Sequence, residues 1–466
     1  MKIIYMKQQD NVFKLIDMRN KINYLTFILI IFFLNHCSFD KKSGIWKGYE
    51  KELERISQLE EKHGKITKSL IYSSKDEFQK EILPSRDARL SVPYSNNSWE
   101  MPGFNYQNSL GNLYLKGIQD RFLKKRVGKN KFNLPQKNQS PLLFKNNLIF
   151  SDDKGSIFKI NKKGQQFWKI NIYKKIYKKL YKNLTYSIYN DNLYVADNIG
   201  FIYSIDIKTG QLIWKQNFAI PFKSKIKIFE DKIFIIDQDN RILCLDTKEG
   251  KKIWDIPTIQ TFIKSNNLLG LAISKNGDLV FVNSIGDVLK VSSKNGRIYW
   301  TMNSLVSLST YVSDFFQSSD IVINKNDIIF SSATSTLSIN LYSGYVNWIV
   351  KIKSTNTPII DNENIFLITD NGYFVNLNRE NGKIVWSTNI LKFLKKKDQL
   401  TTVSGFIMGS DKIFATTTNG YLIVSSAVNG KVEYKRKIAD SIYSSPIIGN
   451  GELFILTANS KILGFK

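Results

Sequence analysis

Side chains able to do chemistry are few in this chain and stand far apart. His36 and His63 are the two histidines, and Cys37 and Cys244 the two cysteines, among 466 residues. General acid–base work near neutral pH leans on histidine, a Ser-His-Asp triad needs one beside its nucleophile, and a zinc site needs several His or Cys together. No Cys-x-x-Cys redox pair is present. The acidic groups Asp152-Asp153 and Asp237-Gln238-Asp239 suggest calcium loops at first sight. They lack the full Asp/Asn–Gly–Glu spacing of such a loop, and both stand between apolar runs, where Asp accepts hydrogen bonds from its own backbone in a turn. Cys244, in RILCLD, reads as a small apolar side chain of a strand. We expect no catalytic residue, no metal site and no cofactor.

Cys37 has another chemistry open to it. The stretch MRNKINYLTFILIIFFLNHCSFDKK begins at Met18 with the basic residues Arg19 and Lys21. An apolar run from Tyr24 to Leu34 follows, short of the roughly 20 residues of a spanning helix, and then Cys37. This order is that of a secretory signal, so residues 1–37 form a signal peptide whose true start is Met1 or Met18. Leu34-Asn35-His36-Cys37 resembles a bacterial lipobox, with Leu three residues before the cysteine to be lipidated; Asn35 and His36 replace its usual small residues. An uncleaved anchor is the alternative. Ser38 next to the cysteine suits delivery to the outer membrane. Residues 38–91, rich in Lys, Glu and Ser, read as a tether with one short helical patch around YEKELERISQLEEK.

The net charge is +27, with 57 of the 67 basic residues Lys and 10 Arg. A reader of nucleic acid leans on the planar fork of Arg, so no nucleic-acid partner is expected. Lys, Asn, Ile, Phe and Tyr all have AT-rich codons, and base composition accounts for much of the excess; an acidic partner or an anionic membrane surface is the other reading. The runs INIYKKIYKKLYKNL (170–184) and LKFLKKKD (391–398) concentrate the charge. The connection over 301–320 carries Phe315 and Phe316, facing either a partner or the core.

These residues are placed by a repeat. GQQFW, GQLIW, GKKIW, GRIYW, GYVNW, GKIVW and GKVEY put Gly164 before Trp168, Gly210 before Trp214, Gly250 before Trp254, Gly296 before Trp300, Gly344 before Trp348, Gly382 before Trp386 and Gly430 before Tyr434, always four residues apart. Successive glycines are separated by 46, 40, 46, 48, 38 and 48 residues, and six of the eight tryptophans are used in this way. In 185–218, turn signals at Asn190-Asp191-Asn192, Asp197-Asn198 and Lys208-Thr209-Gly210 divide runs rich in Ile, Val, Tyr and Leu. Four short antiparallel strands per unit at this period are a β-propeller blade. The glycine falls in the turn between the third and fourth strands, and the aromatic residue docks one blade on the next. After Tyr434 the chain supplies SIYSSPII, ELFILTA and KILGFK and no fourth strand. An open edge invites pairing with other chains, so a segment within 92–115, which holds Trp99, is expected to complete an eighth blade. The fold class is all-β, an eight-bladed propeller over 92–466.

Glycine, three residues and tryptophan in a four-stranded unit is the docking motif of propellers of the pyrroloquinoline-quinone (PQQ) type. Together with the lipobox-like segment, the tether and SVPYSNNSWEMPGFNYQNS, the chain resembles the BamB family of outer-membrane assembly lipoproteins in its alphaproteobacterial form. The resemblance implies a non-enzymatic scaffold, monomeric in itself and part of a larger complex. It implies lipidation at Cys37, attachment to the inner leaflet of the outer membrane, and binding to the periplasmic domains of the barrel subunit BamA and other assembly subunits. Another periplasmic propeller is the alternative. A quinone-dependent dehydrogenase, which shares the propeller but in many cases uses a vicinal cysteine pair, is the more distant one.

Overall fold

The computed structural model describes residues 78–132, 134, 137–259, 267–305, 316–332, 334–394 and 400–466. Cys37, the signal segment, most of the tether and Phe315 lie outside the described residues. Eight four-stranded antiparallel sheets follow one another as the blades of a ring. Blade 1 spans 142–170, blade 2 184–217, blade 3 227–256, blade 4 271–303, blade 5 322–350, blade 6 359–389 and blade 7 403–437. We call the strands of each blade A to D from the innermost outward.

Burial explains the composition of each strand. In blade 2, strands A to C (Leu184–Tyr189, Asn192–Asp197 and Phe201–Asp206) are almost wholly buried, whereas strand D (Leu212–Asn217) alternates between exposed and half-buried. Blades packed on both faces bury strands on both sides, so strands A to C read as continuous apolar runs. In blade 2, strands A and B are joined by a two-residue hairpin with positive φ at Asn190 (48°) and Asp191 (60°), the geometry that matches strand twist.

Strands A, B and C of blade 8 are Ile447–Gly449, Glu452–Leu456 and Lys461–Phe465, and its strand D is Leu123–Arg126. Leu123 lies opposite Gly464 and Arg126 opposite Lys461 in an antiparallel register. An N-terminal strand therefore closes the ring, but it lies beyond the 92–115 segment expected from sequence. Leu123–Arg126 reads LKKR, and only Leu123 is buried. Backbone pairing makes it a strand, and no apolar alternation announces it.

Residues 92–115 have a different place. With their flanks they form a strap that visits the innermost strand of every blade. Asn96 donates to Ile448 O (2.7 Å) in blade 8, Trp99 exchanges backbone bonds with Leu143 in blade 1, and Ile188 of blade 2 donates to Glu100 O. The Lys227 ammonium of blade 3 donates to Asn105 O (2.8 Å), and the amides of Ile273 (blade 4) and Ile323 (blade 5) donate to Tyr106 O and Gln107 O. Ser91 N reaches Asp361 Oδ2 (2.8 Å) in blade 6, and Ser410 N, which follows strand A of blade 7, donates to Leu113 O.

The tether reading of 78–91 also changes in the structure. Ile82 pairs antiparallel with Ser387 on strand D of blade 6, with N–H···O distances of 2.9 and 3.0 Å, and Phe78 packs edge-on against Tyr373 at 5.7 Å. These residues lie against the propeller because the outer strand of blade 6 offers an unpaired backbone edge.

Candidate functional site

The repeated glycine and aromatic residue occupy the same position at successive joints. Opposite each aromatic residue the C–D pairing slips by one residue, between Ser204 and Ile205 in blade 2 for example, and the same slip recurs in all seven blades that carry the motif. Such a bulge re-aims side chains. The extra residue, Ile213 in blade 2 or Tyr299 in blade 4, is left half-exposed, while the tryptophan is turned toward the next blade. Trp168 Nε1 donates to Ile207 O (3.0 Å), Trp214 to Thr247 O (3.0 Å), Trp254 to Ser293 O (3.3 Å), Trp300 to Leu341 O (3.2 Å) and Trp348 to Arg379 O (2.8 Å), each acceptor belonging to the following blade.

The indole of one blade sits on the glycine of the next. A Cβ on Gly250 would come within 2.4 Å of Trp214, and one on Gly382 within 2.6 Å of Trp348; both glycines have positive φ (69° and 70°). Gly210, Gly344 and Gly430 face Trp168, Trp300 and Trp386 in the same way, and Gly296 faces Trp254 and Ile256. Gly164 faces Leu123 and Lys125 of the closing strand instead. Trp386 is wholly buried, whereas Tyr434 is 39 % exposed and has no motif glycine ahead of it, since strands C and D of blade 8 come from opposite ends of the described chain. A further regularity escaped the sequence reading: an Asp, Asn or Ser stands three or four residues before each motif glycine. In blade 2 the Asp206 carboxylate accepts from Lys208 N and Thr209 N, and Gly210 N donates to Asp206 O.

The acidic groups are turn-formers. Asp152 Oδ1 accepts from Lys154 N (3.1 Å) and Ser156 N (2.9 Å), and Asp237 Oδ1 from Asp239 N (2.9 Å) and Arg241 N (3.0 Å). Among the described residues no three His, Cys, Asp or Glu side chains cluster to hold a metal. Cys244 is fully buried in strand C of blade 3, and burial pushes its thiol up to about 12, which leaves it a poor nucleophile.

The axis of the ring is occupied by the chain itself. At one end lies the strap. Asn108 donates to Leu271 O (3.0 Å) and Ile321 O (2.8 Å) and accepts from Lys227 Nζ (2.6 Å). Lys227 is fully buried, and burial pushes its ammonium down to about 7. At the other end, residues leading into the A strands reach across to one another. Lys225 pairs with Asp320, which also accepts from Thr357 (3.0 Å), and Lys137 donates to Thr355 and Asn356 (3.0 Å). Burial raises the Asp320 carboxyl, but Lys225 and Lys227 outweigh it and hold the carboxyl below its ordinary value. A cavity of about 20 Å³ beside Asp152, Gln139 and Ser460 has room for a single water.

The basic runs lie on interblade connections. Lys175–Lys179 form a 3₁₀ turn between blades 1 and 2, where Tyr177 packs on Phe201 (5.5 Å) and the lysines face solvent. In the second run Lys392 pairs with Glu81 (3.0 Å) and Phe393 packs on Tyr421 (5.3 Å); residues 395–399 lie outside the described residues. Phe316 belongs to the core between blades 4 and 5.

Eight four-stranded blades with glycine–aromatic joints define a propeller of the PQQ-like repeat class. A family model described as "Outer membrane protein assembly factor BamB" matches residues 152–388, half of the sequence, and the chain belongs to this BamB-like family. The structure is similar to the crystal structure of BamB from Moraxella catarrhalis, at 14 % identity and a TM-score of 0.60 over 74 % of this chain and 100 % of that one. It is also similar to a quinohemoprotein alcohol dehydrogenase from Pseudomonas putida (10 % identity, TM-score 0.61, 80 % of each chain) and to a europium-containing methanol dehydrogenase (10 %, 0.58, 77 % of this chain and 89 % of that one). At these identities the likeness is one of fold. No curated protein sequence matches the chain. Among the described residues no helix is long and apolar enough to cross a membrane.

Proposed function

We propose that the protein is a non-enzymatic scaffold of outer-membrane β-barrel assembly, held by a lipid on Cys37 at the periplasmic face of the outer membrane and binding the central subunit BamA. Residues 1–37 are then the signal and 38–77 the tether, since 78–91 already lie against blades 6 and 7. Membership of the BamB-like family supports this reading. The observation that carries the non-enzymatic part is the axis. It is filled at one end by the strap and crossed at the other by the Lys225–Asp320 pair. This filling argues against a quinone cofactor at the axis.

The test is to purify the tagged protein from membranes in mild detergent and identify what accompanies it. The barrel-assembly subunit should co-purify. Its absence, with other partners abundant, would assign the propeller to a different complex. A Cys37→Ser variant should lose incorporation of labelled lipid; unchanged labelling removes the anchor from Cys37. Added quinone and calcium should give no alcohol oxidation, and turnover would restore the dehydrogenase reading.

A further inference from the structure

Base composition accounts for lysine and isoleucine in the run 170–184, but not for how the structure sorts them. Tyrosine recurs there every fourth residue, at Tyr173, Tyr177 and Tyr181, and each ring is engaged with the propeller. Tyr173 is buried and its hydroxyl donates to Asp197 Oδ2. Tyr177 packs edge-on against Phe201 at 5.5 Å. Tyr181 packs edge-on against Phe132 at 6.0 Å, and its hydroxyl donates to Asn138 Oδ1 (3.2 Å). Lys182 is buried, and its ammonium donates to the carbonyls of Tyr177 and Leu180. The connection between blades 1 and 2 is thus fixed to the ring by its tyrosines and by one lysine.

What the turn presents outward is aliphatic and basic. Ile176 is 78 % exposed and Leu180 49 %. A single exposed apolar side chain is ordinary on a protein surface. Here two stand on one turn among Lys174, Lys175, Lys178 and Lys179, all facing solvent. The connection from blade 8 to blade 1, which touches the turn through Phe132, adds Leu134, 40 % exposed, and the exposed Lys129 and Lys131. Residues 171–183 contain no acidic residue. The nearby Asp152, Asp153 and Asp197 are buried and accept hydrogen bonds from backbone amides, so they present no negative charge beside the lysines.

We propose that this turn seats on the surface of an anionic lipid bilayer, with Ile176 and Leu180 entering the headgroup region and the four flanking lysines meeting lipid phosphates. Aliphatic side chains ringed by lysine fit that boundary, because a lysine stem lies along apolar surface while its ammonium returns to the phosphates. An acidic protein surface fits less well. The charge on the turn is all lysine, which lacks the planar fork by which arginine grips single carboxylates. Each lysine near an anionic leaflet adds an attraction that salt screens. The inference goes beyond the scaffold reading and does not rest on it, since neither a lipid on Cys37 nor BamA takes part in the contact.

The apolar run Tyr24–Leu34 can itself hold the full chain on a bilayer, so the readout is placed on the turn. An environment-sensitive fluorophore (NBD) is attached to the full chain at Ile176→Cys in a Cys37→Ser background; Cys244 is fully buried and stays unlabelled. Vesicles of phosphatidylethanolamine and phosphatidylglycerol in a three-to-one ratio should brighten and blue-shift the emission, and added salt should reverse the change. Vesicles of phosphatidylcholine should leave it as it is. Replacing Lys174, Lys175, Lys178 and Lys179 together by Gln should cut the change by about tenfold or more. These side chains face solvent, so the variant should melt as wild type does. The same label at Tyr345→Cys, equally exposed on blade 5, should not respond. No change on the anionic vesicles, an equal change on phosphatidylcholine or at Tyr345, or survival of the change in the Gln variant would overturn the proposal. A label silent on vesicles but responsive to polyglutamate would also overturn it and assign the patch to an acidic protein. Recovery of BamA from membranes tests the scaffold reading alone, so either reading can fail while the other stands.

Discussion

At six of the joints a glycine answers two demands at one atom. Positive φ in the C–D turn excludes most side chains, and the indole of the preceding blade fills the space a Cβ would take. Gly382→Ala meets both penalties and should cost at least about 2 kcal/mol, read as a lowered denaturant midpoint. Trp386, wholly buried, and Tyr434, 39 % exposed, separate strong joints from weak. Trp386→Ala should cost about 3–5 kcal/mol. Tyr434→Ala should cost about 1 kcal/mol, because that ring keeps much of its contact with water. Equal losses for the two would contradict the geometry. Lys227 adds a dependence on pH. Its folded value, about 7, lies below the ordinary value of 10.5, so between the two the unfolded chain binds more protons and stability rises with pH. The charged groups facing it are Asp320, which favours the ammonium, and Lys225, which disfavours it. Lys227→Met should lower the midpoint at every pH, since it orphans the strap carbonyls, and should flatten the rise between pH 7 and 10. The joints were legible in the sequence because glycine and tryptophan recur at fixed spacing. Lys227 was not, because nothing in KIKIF separates a lysine aimed at the axis from one in solvent.

Two elements hold the ring from outside the repeat, and each does so largely through backbone. The closing strand has four residues, three of them basic, and the strap is rich in Asn, Ser and Gly. Neither shows hydrophobic periodicity, which is why sequence reading recognised the need for closure but placed it in 92–115. That segment meets blade 8 through Asn96, and its flank through Lys116, whereas the fourth strand comes from 123–126. Truncation separates these roles. A chain beginning at residue 78 should remain a monomer with the melting temperature of the full protein. A chain beginning at residue 128 loses both elements, leaves Lys461–Phe465 as an unpaired edge, and should associate and melt lower, as read by size-exclusion chromatography and thermal melting. Retention of a wild-type monomer by the shorter chain would show that closure does not depend on them.

Across the whole molecule, apolar residues fill the joints and charge lies on the loops and on most outer edges. The blades are local structures, each pairing strands close in sequence, and a growing chain can complete seven of them in order. The strap cannot follow that order. Asn96 meets Ile448 across 352 residues, and Asn130 meets Ser460 across 330. A segment made early thus waits through the synthesis of nearly the whole propeller for its last contacts, and loop-closure entropy is repaid only at the end. Until then strand C of blade 8 has no outer neighbour, and the Asn side chains that will bridge blades remain in water. The strap therefore also acts as a check on completeness: it can be satisfied on every blade only in a chain that has been made as far as blade 8.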